Sequence, residues 1–102
     1  MSEHGPTIKE TERLIFKILA HQENRPLCFD DFVSRMSYIR RIFLPSDTDL
    51  EFALRKLIRD DRLTVTIEVR GPGWEVHREN CVSIKSPLDL LAAEVALQEG
   101  WK

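Results

Sequence analysis

Three histidines, two cysteines and two pairs of adjacent aspartates are the residues of this 102-residue chain with the chemistry to hold a metal or move a proton. His4, His21 and His77 are scattered, and Cys28 and Cys81 form no C-x-x-C pair, so these groups could meet only through the fold. The cysteines read as buried free thiols of a reducing compartment. Asp30–Asp31 and Asp60–Asp61 are neighbours in sequence, and neighbours on a helix face apart, so they read as cap and turn residues and not as an acid–base pair. There is no G-x-S-x-G, and the only clustered glycines, Gly71 and Gly73, flank a proline in a turn and cradle no phosphate. The expectation is a non-enzymatic protein with no catalytic residue, metal, cofactor or small-molecule substrate.

The remaining chemistry is that of contact surfaces. Phe52, Arg55, Lys56 and Arg59 share one side of a helical segment. They read either as a partner-binding face with Phe52 as its apolar anchor, or as a solvated face with Phe52 under a loop. Arg70 and Arg78, with Trp74 and His77, surround the glycine turn. Arg40 and Arg41, with Arg35 and Tyr38, make a second basic cluster. These four arginines, Arg40, Arg41, Arg70 and Arg78, are the candidate nucleic-acid contacts, through phosphates. The formal net charge of −2 argues against a protein that lives by gripping phosphates, although a local patch can be basic on an acidic chain.

Elements that could position these residues are legible in the apolar pattern. Hydrophobic residues are 42% and charged residues 31%, the balance of one globular domain. Residues 1–6 are a polar tail. Thr7 and Glu10 form a capping box that opens a helix to about Gln22, with Ile8, Leu14, Ile15, Ile18 and Leu19 buried and Phe16 half exposed. A short strand is predicted over 25–27, then a second helix from about Cys28 to as far as Phe43, before Pro45. Thr48 and Glu51 cap a third helix whose face is Leu50, Ala53, Leu54, Leu57 and Ile58. The period then falls to two: Leu63, Val65, Ile67 and Val69 share one face of a strand. Gly71-Pro72-Gly73 turns it into a return strand from Trp74 to about Lys85, with Trp74, Val76, Val82 and Ile84 toward the core. Ser86, Pro87 and Asp89 start a fourth helix. That helix is apolar on two stripes. Leu88, Leu91, Ala92 and Val95 make one, which can pack on its own chain; Leu90, Ala93, Leu97 and Trp101 make the other, which reads as an oligomer interface.

The segment from Leu54 to Leu63, a leucine–basic–basic–leucine helix ending in the acid-rich Asp60-Asp61 turn, and the Gly71-Pro72-Gly73 tip resemble the winged helix-turn-helix superfamily over residues 7–85. The resemblance implies an α+β fold of three helices and a β-hairpin wing, here with an added C-terminal helix at 86–102. Members of that superfamily read DNA, dock proteins or stabilise assemblies. In the DNA readers the start of the third helix meets the major groove; here that turn carries Asp47, Asp49 and Glu51, which phosphates repel. The expectation is a regulatory or adaptor module acting through protein contacts, with a protein partner or a homodimer; the alternative is a dimeric DNA-binding regulator. The polar start and the absence of any apolar run of membrane length point to a cytoplasmic protein with no signal peptide and no membrane contact, or a nuclear one in a eukaryote.

Overall fold

The Thr7 hydroxyl accepts the Glu10 amide at 3.1 Å while the Glu10 carboxylate accepts the Thr7 amide at 3.2 Å, and this capping box starts helix α1 (Ile8–His21). The structure, a computed structural model, describes residues 7–39 and 44–101. After α1, Glu23 and Asn24 take left-handed backbone conformations, φ 59° and 57°, and turn the chain back along the sheet. Strand β1 (Leu27–Cys28) follows, then α2 (Phe29–Met36), α3 (Asp47–Arg59), the strands β2 (Leu63–Arg70) and β3 (His77–Ile84), and α4 (Pro87–Gln98). Among the described residues the architecture is α+β: four helices and one antiparallel sheet in the order β1-β3-β2. No described helix is long and apolar enough to cross a membrane.

The core sits where α1, α2 and α3 meet the base of the sheet. Leu14, Ile15, Ile18 and Leu19 of α1, Phe32 of α2, and Leu50, Ala53 and Leu57 of α3 are buried with Leu27, Leu63, Val82 and Ile84 from the strands. Phe16, expected half exposed, is buried: the guanidinium of Arg62 lies 4.8 Å above its ring and closes it from water. Ser46, not Thr48, caps α3, its hydroxyl accepting the Asp49 amide at 3.1 Å, so the helix begins one residue before Thr48. Helix α2 ends at Met36, with the chain turning through 37–39. Its predicted continuation over 40–43 lies outside the described residues.

The hairpin turn is longer than expected. Strand β3 begins at His77, so Trp74 and Val76 belong to the loop and are exposed, Trp74 at 86%. Gly71 permits the loop: its φ is +114°, and a Cβ there would collide with the carbonyl of Glu75.

The two stripes of α4 are exchanged relative to the expectation. Leu90, Ala93, Leu97 and Trp101, expected at an oligomer interface, pack on this chain's own core; Ala93 is buried against it and the Trp101 ring meets His21 edge-on at 5.5 Å. Lys17 Nζ donates to the Gly100 carbonyl at 3.1 Å, and Arg62 pairs with Asp89 at 3.3 Å. Leu88, Leu91, Ala92 and Val95 are the stripe left in solvent. The helix start is capped as expected, the Ser86 hydroxyl accepting the Asp89 amide at 3.4 Å with Pro87 in the first turn.

Leu57 is fully buried at the centre of the core, and Leu57→Ala is expected to lower unfolding free energy by about 2–5 kcal/mol, measured by urea titration. A loss below about 1 kcal/mol contradicts the packing. Truncation after Ser86 uncovers α1 and is expected to abolish cooperative unfolding, in contrast to a separable 86–102 helix. A truncated chain that melts like the full one by circular dichroism refutes the single core.

Candidate functional site

The parity of the hairpin is set at its base. Leu63 and Ile84 are register partners and both are buried, as are Val82 and its β1 partner Leu27. Side chains alternate along a strand, so Val65, Ile67 and Val69 must lie on that same face. The helices cover only its lower part. Val65 is 43% exposed, Ile67 62% and Val69 63%. Asn80 and Arg78, the partners of Ile67 and Val69, complete this outer half.

Between this face and α3 lies an open groove of about 520 Å³. Leu54 and Ile58 line it from α3, Leu27, Val65 and Val82 from the sheet, and Phe29 and Phe32 from the start of α2. Its polar lining is Asn80 and the Glu51–Arg55 pair, whose carboxylate and guanidinium are 2.6 Å apart. The groove is therefore apolar along its length and internally neutral at the α3 rim. Arg78 is exposed at the hairpin end and forms no ion pair among the described residues.

The opposite face of the hairpin is closed by charge. Arg70 reaches Asp31 of α2 at 2.9 Å, Glu68 at 3.2 Å and Glu79 at 3.7 Å. Glu79 also meets His77 at 3.0 Å. Beneath this cluster Cys28 and Cys81 stand opposite each other across β1 and β3, both buried and free. Burial, with the Glu79 and Asp31 carboxylates beside it, pushes the Cys28 thiol up to about 12, so it stays protonated at neutral pH. Burial pushes the Asp31 carboxyl upward, but the Cys28 amide and thiol and the Arg70 guanidinium outweigh it and hold it below 3.8. The hydrogen bond to Glu79 raises His77 above its ordinary 6.5.

The expected site residues separate into groups. Phe52, Arg55 and Arg59 are exposed on α3, with Arg55 bound to Glu51 and Arg59 3.9 Å from Asp60. Lys56 is turned inward: it holds the buried carboxylate of Glu12 on α1 at 3.0 Å, and that bond raises its pKa. It braces two helices. Arg70, expected at phosphates, is engaged by three carboxylates; Arg78 remains available. Arg40 and Arg41 lie outside the described residues, while Arg35 and Tyr38 beside them line a pocket of about 190 Å³ with His21 and Trp101. Leu90, Ala93, Leu97 and Trp101 are core-facing. The groove itself was not anticipated. Its signal was present in Ile58, at the edge of the α3 stripe, and in Val65, too far up the strand for the helices to reach.

Among the described residues no group of three or more His, Cys, Asp or Glu side chains is placed to hold a metal ion. No family model, curated protein or solved structure matches this chain.

Asp31 ties the tip of β2 to α2, and its lowered pKa sets a pH dependence. The stability it contributes is present above its ordinary value of 3.8 and is lost as pH falls through the lower folded value. Asp31→Asn is therefore expected to be less stable than the parent at neutral pH and to converge with it in acid, by urea unfolding across the range. Parallel curves at every pH contradict the Asp31–Arg70 brace.

Proposed function

We propose that this chain is a winged-helix binding module without catalytic activity, and that it docks a segment of another protein in the groove between α3 and the hairpin. The observation that carries the reading is the outer half of the hairpin. Three aliphatic side chains, Val65, Ile67 and Val69, stand in solvent above an apolar groove. An apolar strip beside a concave surface with few charges is the usual form of a protein contact. Arg78, exposed at its end and without an ion pair among the described residues, suits an occupant that carries a carboxylate next to its apolar anchors. An amphipathic segment with two or three aliphatic or aromatic residues and one acid meets both demands.

The DNA-regulator reading rests on the exposed guanidiniums of Arg55, Arg59 and Arg78. Against it stand Asp47, Asp49 and Glu51 at the start of α3 and the net charge of −2. Arg55 and Arg59 also have carboxylates of their own chain beside them.

Two measurements separate the readings. Fluorescence anisotropy with random duplex DNA at low salt is expected to show no binding. Selection from a displayed random-peptide library is expected to enrich apolar sequences with an acid, and Ile58→Lys in the groove is expected to abolish that enrichment while leaving the melting curve intact. Ile58 is 38% exposed, so a lysine there can reach water. Duplex binding that falls steeply with added salt supports the DNA reading instead. Enrichment that survives Ile58→Lys removes the groove as the docking surface.

A further inference from the structure

The side chains of β2 face the groove or the ion cluster, but its backbone faces a third direction. The Ile84 amide donates to the Asn24 side-chain oxygen at 2.7 Å, and its carbonyl accepts from Asn24 Nδ2 at 3.0 Å. Asn24 precedes β1, so Ile84 directs its backbone groups toward β1. Backbone direction alternates along an antiparallel ladder. Ser83, Cys81, Glu79 and His77 therefore bond to β2, through their partners Thr64, Thr66, Glu68 and Arg70. The Lys85 amide, which donates to the Arg62 carbonyl at 3.2 Å, continues the alternation.

It follows that Leu63, Val65, Ile67 and Val69 direct their amides and carbonyls away from the sheet. β2 is the outer strand, and among the described residues no loop or side chain bonds to those groups. Apart from the charges of Glu68 and Arg70, which bond to each other at 3.2 Å, the devices that usually protect an edge are missing. β2 carries no proline and no lysine, and its eight register pairs run without a bulge.

We propose that β2 pairs antiparallel with β2 of a second copy about a two-fold axis through Ile67, joining the two sheets into one. The choice of a second copy comes from the sequence of the strand, which is self-complementary in one register. Because the free backbone groups belong to the odd-numbered residues, the bonded pairs must join odd residues to odd. Centring on Ile67 sets Val65 against Val69 of the second copy, Thr66 against Glu68 and Thr64 against Arg70, with no like charges opposed. Centring on Thr66 sets Arg62 against Arg70, and centring on Glu68 sets two carboxylates face to face. Registers centred on Val65 or Val69 shorten the ladder to a few residues.

The Ile67 register also carries the tip of each hairpin, with Trp74 86% exposed, toward the base of the other. The aliphatic face shared by the two β2 strands then becomes one continuous surface between two grooves. This pairing uses the edge of β2 and stands independently of what the groove binds.

Sedimentation equilibrium of the full chain is expected to show a concentration-dependent dimer. Ile67→Lys, which opposes two cations on the axis at an exposed position, is expected to give a monomer that still unfolds cooperatively, at a melting temperature that no longer depends on concentration. Ile67→Cys, oxidised with glutathione disulfide, is expected to give a disulfide-linked dimer, because directly opposed residues lie within disulfide reach. A wild-type chain that is monomeric up to millimolar concentration overturns the proposal. So does a dimer that survives Ile67→Lys and is broken instead by Leu91→Lys on α4. If Ile67→Lys does not fold, the Ile67→Cys chain decides, and failure to cross-link overturns the pairing.

Discussion

The alternation of side chains along the hairpin is the constraint on which the rest of the molecule depends. Leu63, Val82 and Ile84 are drawn to the helices by burial, each contributing roughly 1.5–3 kcal/mol. Once they are inside, no freedom is left for the residues above them. A one-residue slip would put Thr64 and Ser83 in the core and Leu63 in water. The same parity commits Val65, Ile67 and Val69 to the helical side, where α3 and α2 are too short to reach them. It commits Arg70, Glu68, Glu79 and His77 to the other. The hairpin thus has an apolar face that is open and a polar face that is closed, and both follow from three buried side chains at one end.

At least six of the described lysines and arginines pair with carboxylates of the same chain. Glu51 holds Arg55, Glu12 holds Lys56, Asp61 holds Lys85 at 2.7 Å, and Asp89 holds Arg62. Most of these pairs are exposed and add little to stability. The Glu12–Lys56 pair differs, because Glu12 is buried on α1 and an unpaired carboxylate there would be severely penalised. Lys56 therefore sets the spacing of α1 and α3. A consequence for recognition is that the α3 surface is close to neutral over short distances, and a surface of neutral pairs steers polyanions weakly.

Much of this was readable in the chain before its structure. The Thr7 capping box, the stripe Leu50-Ala53-Leu54-Leu57, the period of two from Leu63 and the Ser86-Pro87 helix start are local signals, set within one or two turns of backbone, and they appear where the pattern puts them. What was illegible depends on partners distant in sequence. Phe16 is buried because Arg62, far along the chain, lies over it. Glu12 sits on the apolar side of α1, a visible anomaly, but that its counterion is Lys56 follows only from how α1 and α3 cross. The stripes of α4 could not be ranked, since both are apolar and local pattern alone does not say which meets α1. The length of the hairpin loop was misjudged because Trp74 suits a strand by type, while Gly71 and the Glu75 amide bond to Pro72 hold it in a turn.

The closed polar face bears on how the open face can work. Arg70 stands at the far end of β2, and its bonds to Asp31 fasten the hairpin to the first turn of α2. Asp31 is itself held by the Cys28 amide at 3.0 Å, next to the residue that pairs β1 with β3. The outer half of the hairpin, which the core does not reach, is thereby attached at its tip and at its base. A strand tethered at both ends loses little conformational entropy when another surface settles on it. The aliphatic row from Val65 to Val69 is thus held in place by the charges behind it, and loosening Arg70 would release the tip of the hairpin from α2.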